Sequence, residues 1–354
     1  MPRTIWLDDE RLFTWDQTRL PFEAIVIELA GAADCAHAIS SMQVRGAPLI
    51  GAVGAYGLAF ALREDDSDAG LSAARATLLA TRPTAVNLRW ALDRVAVAVA
   101  ELPRAERAAR AWREAAAICD EDVACNLSIG RHAAALLAPL RRGADPLRIL
   151  THCNAGRIAT VDHGTALAAV YALADAGVPV HVWVDETRPR NQGAGLTAWE
   201  LRERSIAHTV IVDNAGGLLM RQGLVDAVIV GCDRVAANGD VANKVGTYLK
   251  ALAARDNGLP FYVACPVSTI DAQCRSGDAI AIEQRSPREV THVAGRAPDG
   301  SLVEVQITPD GSPALNPAFD VTPARLVTAL ITEHGGVAAS SEAIRGLRPA
   351  GAQA

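Results

Sequence analysis

The sequence lacks the segments that mark export, membrane insertion, disulfide frameworks and zinc sites. No apolar run reaches the roughly 20 residues of a membrane span, and acidic residues interrupt the N-terminus before an export signal could form. The seven cysteines include no CxxC pair and no His/Cys spacing typical of zinc. We therefore expect a cytoplasmic protein with reduced thiols, no membrane association and no metal.

Two nucleotide-binding signatures are also missing. No GxGxxG follows the first strand predicted for the C-terminal half, and no GxxxxGK[ST] occurs, so nothing supports a nicotinamide or nucleoside triphosphate enzyme. The net charge of -6 and the pI near 5.8 argue against nucleic acid as the main ligand, because binding a phosphate backbone needs a basic surface. One small phosphate would need only a local cluster of cations.

The apolar pattern predicts an α/β protein, and its 354 residues suggest about two domains. We predict short antiparallel strands followed by Ala-rich helices in residues 1–143. Residues 144–354 alternate short strands and helices, as in a Rossmann-like parallel sheet. The predicted helices include 104–118, 123–140, 160–176, 243–255 and 324–333, the last from the N-cap signal of Thr322 and Pro323.

One stretch carries more polar chemistry than a strand or a turn requires. Residues 228–230 predict a buried strand, and Asp233 follows it, at the end where open parallel sheets bind ligands. Desolvation there would raise the pKa of Asp233; the alternative is an aspartate that caps a turn. Asn243 and Lys244 lie at a predicted helix start, where a phosphate could bind, although Lys244 could equally be a solvated lysine.

Cys153 ends the first strand of the predicted sheet. A following helix N-terminus would favour its reactive thiolate, while a buried cysteine in a tight turn is the alternative. His152 precedes it on the strand, so the two side chains should point to opposite faces, which weakens His152 as a base for Cys153. Thr197 and Glu200 have the spacing of a helix capping box.

Two arginines and one amide complete the candidates. Arg45 and Arg82 lie at Pro-containing breaks between predicted helices, where a solvated surface arginine is the more common case. Gln192 belongs to the polar loop 185–193, which could bind an anion or a sugar hydroxyl, or could form surface ion pairs.

Nine short motifs, in order, resemble the methylthioribose-1-phosphate isomerase family. They are residues 44–48, 82–88, 153–156, 186–189, 192–193, 231–234, 238–240, 242–247 and 316–320. The resemblance runs from about residue 3 to about residue 335, and the ordered set is far more specific than any one motif. The wider superfamily includes regulatory subunits of the eukaryotic translation-initiation exchange factor and a ribose-1,5-bisphosphate isomerase.

The resemblance implies a homodimer that works in methionine salvage without metal or organic cofactor. Its substrate would be a small sugar phosphate, 5-methylthioribose 1-phosphate, converted to 5-methylthioribulose 1-phosphate. The family's catalytic cysteine and aspartate fall on Cys153 and Asp233. Its substrate-binding positions fall on Arg45, Gly46, Ala47, Arg82, Gln192, Asn243 and Lys244.

The candidate residues suit this chemistry. An aldose 1-phosphate cannot open its ring unaided, because its anomeric oxygen is esterified. The reaction needs an acid at the ring oxygen, which we assign to Asp233, and a transfer of hydrogen from C2 to C1. Cys153 would be the base at C2, or would stabilise the transition state if hydride moves directly. The phosphate would be neutralised by Arg45, Arg82 and Lys244, and a sugar hydroxyl would be bound by Gln192.

Three positions depart from the family pattern. The family usually has an apolar residue where this chain has Asn191, and an arginine where it has Gly195. Arg157 is larger than the residue that the family usually has at that position. A polar Asn191 beside the substrate would favour another 5-substituent, as in 5-deoxyribose 1-phosphate or another phosphorylated pentose. A second alternative is a non-catalytic regulatory binding protein of the same fold, which would not need the acid, the thiol and the cations together.

Overall fold

The computed structural model describes residues 2–347. The chain begins with a three-stranded antiparallel sheet, as predicted, which is followed by five helices. The strands are β1 (Ile5–Asp8), β2 (Arg11–Trp15) and β3 (Val26–Leu29). The helices are α1 (Ala32–Ser40), α2 (Ala47–Glu64), α3 (Asp68–Thr81), α4 (Val86–Val99) and α5 (Arg104–Leu137).

Helix α2 is the centre of the N-terminal core. The uncharged part of the helix, residues 47–62, is buried along almost its whole length, because β1, β2 and the other helices of this half surround it. Gly51 lets α4 approach closely: a Cβ there would come within 2.9 Å of the Asn87 carbonyl oxygen. The helix begins at Ala47 with Pro48 in its first turn, a position that needs no backbone N–H.

Helix α5 joins the two halves of the molecule. The two helices predicted here are one helix of 34 residues, because the polar segment at 119–122 contains no Gly or Pro to break it. Ala111 and Ala115 pack in the N-terminal core, whereas Ile129 and Leu137 pack against the C-terminal sheet. The division between domains after residue 143 stays a prediction.

The C-terminal half contains a seven-stranded sheet in the order β16-β15-β10-β7-β4-β5-β6. All its pairs are parallel except β15 with β16. A smaller sheet has the order β11-β8-β9-β14, and β12 with β13 forms a hairpin. The strands are β4 (Leu147–Thr151), β5 (Val180–Asp185), β6 (His208–Ile211), β7 (Ala227–Val230), β8 (Arg234–Ala236), β9 (Val241–Lys244), β10 (Phe261–Ala264), β11 (Ile270–Asp271), β12 (His292–Arg296), β13 (Leu302–Gln306), β14 (Phe319–Thr322), β15 (Ala329–Thr332) and β16 (Gly335–Val337).

Helices cover both faces of the large sheet. Strand β7 is apolar throughout because Ala227 and Ile229 face one hydrophobic cluster while Val228 and Val230 face the other. The helices are α6 (Ala166–Asp175), α7 (Ala198–Glu203), α8 (Ala215–Arg221), α9 (Thr247–Asp256), α10 (Arg288–Thr291) and α11 (Ser341–Gly346). The predicted parallel α/β layer is therefore present.

The order of the strands reverses between β4 and β7. From β4 the chain continues to β5 and β6 on one side, and from β7 it continues to β10 and β15 on the other. Loops at the carboxyl ends of such neighbouring strands diverge and leave a crevice between them. Cys153 follows β4 and Asp233 follows β7, so both lie at this crevice.

One predicted helix is wrong, and two others begin later than predicted. Residues 324–326 form only a 3-10 turn, and the segment then becomes strand β15, because pairing with β10 and the burial of Leu330 and Ile331 outweigh the cap signal. Asn243 and Lys244 lie on strand β9, and α9 begins only at Thr247. Likewise, α6 begins at Ala166 rather than at residue 160.

None of the helices in residues 2–347 is long and apolar enough to cross a membrane. All seven cysteines are free thiols.

Because the second half of α5 packs on the sheet, Ile129→Ala should lower the free energy of unfolding by about 2 to 5 kcal/mol. Ile129 is fully buried, and the shortened side chain leaves a cavity. Urea unfolding measures the loss. Leu127→Ala, on the exposed side of the same helix, is the matched control and should cost about 0.5 kcal/mol or less. Equal losses in the two variants would contradict this packing.

Candidate active site

One cleft at the β4–β7 crevice collects every site residue that the sequence suggested. It is lined from the N-terminal half by Arg45, Gly46, Ala47 and Arg82, and from the C-terminal half by Cys153, Gln192, Asp233, Asn243 and Lys244. These positions span about two hundred residues of sequence, and the fold alone brings them together. Their roles remain proposals, which the geometry below supports to different degrees.

Cys153 lies in a tightly held turn after β4. Its backbone has the left-handed φ of 66°, which non-glycine residues rarely adopt. Its amide donates to Thr187 Oγ1 at 2.8 Å, and its carbonyl oxygen accepts from Thr197 Oγ1 at 2.7 Å. The opposite loop approaches so closely that a Cβ at Gly231 would lie 2.6 Å from the Cβ of Ala155. The thiol therefore has a fixed position beside the loop of Asp233.

Arg45 is fixed by the residue that follows this cysteine. Its guanidinium donates to Asn154 Oδ1 and to the Asn154 carbonyl oxygen, each at 2.6 Å. Asn154 in turn donates to Glu200 Oε1 at 2.7 Å. Glu200 also accepts from the Arg157 amide at 2.7 Å and from the Tyr171 hydroxyl at 2.8 Å. A buried hydrogen-bond network thus joins the cation of the N-terminal half to the cysteine turn.

Glu200 has a different partner from the one that its sequence spacing suggested. The capping-box interpretation is wrong, because α7 has no side-chain cap and Glu200 instead bonds Asn154 inside the protein. The signal in the sequence for such a network was a glutamate placed between apolar residues, Trp199 and Leu201. Sequence reasoning also missed Glu283, which pairs with Arg82 at 3.4 Å, and Arg285, which lines the cleft.

Gly46 cannot carry a side chain. Its φ is 94°, and a Cβ would lie 2.2 Å from the Ala159 carbonyl oxygen. The backbone here runs against the segment that follows the cysteine turn, and it brings the start of α2 to the cleft. A glycine at this position is therefore a requirement of the close contact between the two halves.

Arg82 has donors that no protein group satisfies. Its Nε and Nη1 atoms are buried, and neither has a hydrogen-bond partner within residues 2–347. Gln192 Oε1, also on the cleft, is buried without a partner as well. Leaving a buried polar group unsatisfied costs about 1 to 3 kcal/mol, more when it is charged. At a cleft, such groups are available to hydrogen-bond a ligand.

Lys244 projects from strand β9 and not from a helix start. Its Nζ donates to the Ala318 carbonyl oxygen at 2.9 Å and lies 4.9 Å from the centre of the Phe319 ring. Burial lowers the pKa of Lys244, while the negative forms of Cys153 and Asp233 oppose this change. Asn243 Nδ2 donates to Thr247 Oγ1 at 3.0 Å, which ties the strand to α9.

The two proposed catalytic groups both have raised pKa values. Burial raises the pKa of Asp233, as predicted, against the opposing effect of Lys244, Arg82 and Arg45. Burial also raises the pKa of the Cys153 thiol, while Arg45 and Lys244 oppose it. The expectation that a helix N-terminus favours the Cys153 thiolate is wrong, since a 3-10 turn at Arg157–Ala159 and not an α-helix follows the cysteine turn.

Two of the positions that depart from the family pattern, Asn191 and Gly195, do not line the cleft. The Asn191 carbonyl oxygen accepts from the Gly195 amide at 2.7 Å, and a Cβ on Gly195 would contact Pro21 at 3.4 Å. Any effect of these two residues on the substrate would therefore act through the shape of the Gln192 loop and not by contact.

Within residues 2–347, one group of side chains lies close enough together to hold a metal ion: His152, Asp185 and Asp213. Both His152 nitrogens are already engaged, by Asp185 Oδ2 at 2.9 Å and by the Val245 carbonyl oxygen at 2.8 Å. The Lys250 ammonium group lies 3.0 Å from the same Asp185 oxygen. An ammonium group in contact with the carboxylate occupies the space and supplies the charge that a metal would, so this cluster does not suit a metal.

The chain is similar to known proteins over most of its length. Residues 43–339 match the initiation factor 2 subunit family. The methylthioribose-1-phosphate isomerase of Rhodospirillum rubrum is 59% identical over 357 residues, which cover 98% of this chain and 92% of that protein.

Two crystal structures are similar over nearly the whole chain. The 5-methylthioribose 1-phosphate isomerase from Pyrococcus horikoshii OT3 has a TM-score of 0.85 at 41% identity, covering 98% of this chain and 96% of that one. The translation initiation factor eIF-2B, subunit delta, from A. fulgidus has a TM-score of 0.79, also at 41% identity, and the match covers 96% of each chain.

The unsatisfied Arg82 donors predict that the cleft binds anions. Arg82→Ala should weaken the binding of inorganic phosphate by about tenfold to a hundredfold, because a charge-assisted hydrogen bond contributes roughly 1.5 to 3 kcal/mol. Titration calorimetry at low ionic strength measures the affinity. Arg89→Ala, on the exposed face of α4, is the control and should bind phosphate as the wild type does. Equal affinities of Arg82→Ala and the wild type would exclude Arg82 from the anion site.

Proposed function

The chain belongs to the initiation factor 2 subunit family and, within it, to the methylthioribose-1-phosphate isomerases, and we propose that its cleft carries out their reaction. The protein is an aldose-ketose isomerase of methionine salvage. Its substrate would be 5-methylthioribose 1-phosphate and its product 5-methylthioribulose 1-phosphate. The observation that carries this proposal is the thiol of Cys153 and the acid of Asp233 in one cleft with the cations of Arg45, Arg82 and Lys244.

Asp233 would supply the proton that opens the ring. Because burial raises its pKa, the carboxyl group keeps its proton at a higher pH than an exposed aspartate does. The protonated acid would donate to the ring oxygen as the ring C–O bond breaks. The nearby Lys244 and Arg82 would then stabilise the carboxylate that remains.

Cys153 would act at the carbon that loses hydrogen. As a base it would take the proton from C2, and the same proton would return to C1. The C2 hydroxyl would give its proton to the Asp233 carboxylate as it becomes the ketone, which restores the acid. If hydride moves directly, Cys153 would stabilise the transition state without taking a proton. Arg45 and Lys244 lower the pKa of its thiol against the larger effect of burial, so they favour the thiolate that the first of these routes needs.

The cations would hold the phosphate. Arg45 is fixed by Asn154, while two Arg82 donors point to no protein group. Lys244 adds a third buried positive charge. Together they would neutralise a phosphate dianion at a site from which water is largely excluded. Gln192 would bind a sugar hydroxyl through its unsatisfied oxygen.

We also propose that the protein is a homodimer. Strand β6 is an open edge of the large sheet, and Val210 and Val212 are exposed along it. Leu218 on α8 and Leu249 on α9 are exposed as well. An unpaired sheet edge with exposed apolar side chains is a common surface for association with another chain.

A regulatory binding protein is the second candidate, because the chain is also similar to an archaeal translation initiation factor. That function needs neither a thiol nor an acid with a raised pKa between buried cations. The combination of Cys153, Asp233 and Arg82 in one cleft therefore favours the isomerase.

The test is turnover of the purified protein with three sugars in parallel: 5-methylthioribose 1-phosphate, 5-deoxyribose 1-phosphate and ribose 1,5-bisphosphate. We expect ketose formation to be fastest with the first, which is the substrate in the name of relatives 59% and 58% identical to this chain. Preference for another sugar would keep the reaction and change the substrate. A folded protein that turns over none of them would favour the binding protein.

Replacement of either catalytic group should abolish most turnover and leave the fold intact. We expect Asp233→Asn and Cys153→Ser each to lower kcat by about a hundredfold to ten-thousandfold. In the wild type, activity should fall as pH rises through the raised pKa of Asp233, because the acid must be protonated. The controls are Asp278→Asn, on the exposed surface, and Cys274→Ser, away from the cleft. Wild-type kcat in both catalytic variants would exclude the assignment.

A further inference from the structure

His152 is a buried histidine that the mechanism above does not use. It directly precedes Cys153 and borders the cleft, with only 1% of its surface exposed. Its ring contacts groups from three different parts of the C-terminal half: the end of β5, the turn after β9 and the loop after β6. A side chain with this many polar contacts and so little exposure has a more specific role than filling space.

Both ring nitrogens of His152 face hydrogen-bond acceptors. Nε2 lies 2.8 Å from the Val245 carbonyl oxygen, which can only accept. Nδ1 lies 2.9 Å from Asp185 Oδ2, and the same oxygen lies 3.0 Å from the Lys250 ammonium group. The ring is therefore held at both nitrogens, by the end of β5 and by the turn after β9.

Charged groups from several segments surround the ring. Asp213 Oδ1 lies 3.9 Å from Nδ1, and Asp320 also faces the ring. Burial raises the pKa of Asp320, while hydrogen bonds from the Gly246 and Tyr248 amides and the charges of His152 and Lys250 lower it. His152 and Lys250 thus lie among three carboxyl groups. A buried cation is tolerated only when acids compensate its charge in this way.

The Val245 contact has a consequence for the cleft. Val245 follows Lys244 directly, so the His152 ring holds the turn that ends β9. Gly246 packs against the ring: it has a φ of 105°, and a Cβ there would lie 2.9 Å from His152 Cε1. The Gly246 amide also donates to Asp320 Oδ2 at 2.7 Å. The turn after β9 is therefore fixed on one side by the ring and on the other by a carboxylate.

We propose that His152 is a positioning residue: its ring fixes the turn after β9, and with it Asn243 and Lys244, against the Cys153 end of β4. The kinetic role rests on the proposed isomerase function, because it assumes that Lys244 binds the phosphate of the substrate. Anion binding and turnover are therefore tested by separate measurements.

The position of Lys244 is tested without turnover by titration calorimetry with inorganic phosphate. His152→Gln should weaken phosphate binding by about tenfold, because Lys244 loses its fixed position. If that variant does not fold, Asp185→Asn, which alters the hydrogen bond at the other ring nitrogen, replaces it. A folded variant that binds phosphate as the wild type does would overturn the proposal.

The positioning role is tested by the kinetics of His152→Gln. We expect KM for 5-methylthioribose 1-phosphate to rise by about tenfold or more, with a smaller change in kcat, because Lys244 loses its fixed position. Circular dichroism at the assay temperature verifies that the variant is folded. The control is His181→Gln, on the neighbouring strand β5 and away from the cleft, which should keep the wild-type KM.

Each outcome separates the two hypotheses. A folded His152→Gln variant with the wild-type KM would overturn the positioning role, because a merely structural histidine would change stability alone. If the wild-type protein turned over none of the sugars, the isomerase proposal would fail. The phosphate affinities of the variant and the wild type would still decide whether His152 positions Lys244.

Discussion

The adjacency of β4 and β7 in the large sheet is the constraint on which the site depends. The two strands are hydrogen-bonded neighbours, but their connections leave in opposite directions. The crevice between their carboxyl ends is therefore a product of strand order, before any side chain is considered. Cys153 and Asp233 lie in the loops that directly follow these strands, so the sheet fixes the separation of the two loops.

The N-terminal half closes this crevice and supplies part of its charge. Gly46 permits a backbone approach to Ala159 that no other residue would allow, and Arg45 bonds both polar groups of Asn154. Arg234 donates to the Thr84 carbonyl oxygen at 2.6 Å, so the segment that carries Arg82 is attached to the loop of Asp233. Burial lowers the effective dielectric of the cleft, which strengthens each electrostatic interaction inside it. The pKa values of Asp233, Cys153 and Lys244 therefore depend both on burial and on the opposing effect of the neighbouring charges.

Sequence reasoning identified the parts of the site whose signal is local. The apolar run before Asp233 predicts both the buried strand and the raised pKa, and each is present. It failed where pairing with a distant segment decided the structure. The segment of Leu330 and Ile331 forms a strand because β10 lies beside it, and Lys244 lies on a strand because β14 and β8 flank β9. Neither neighbour is visible in a window of adjacent residues.

The sequence by itself determined the chemical groups, the alternation of strands and helices, and the family to which the chain belongs. These depend on residue type and short spacing. Only the tertiary structure decided which groups have partners. Arg82 retains unsatisfied donors, Glu200 bonds Asn154 instead of capping a helix, and His152 meets an acceptor at each nitrogen. Hydrogen-bond partners come from segments far apart in the chain, so satisfaction, burial and protonation are properties of the folded molecule and not of its sequence motifs.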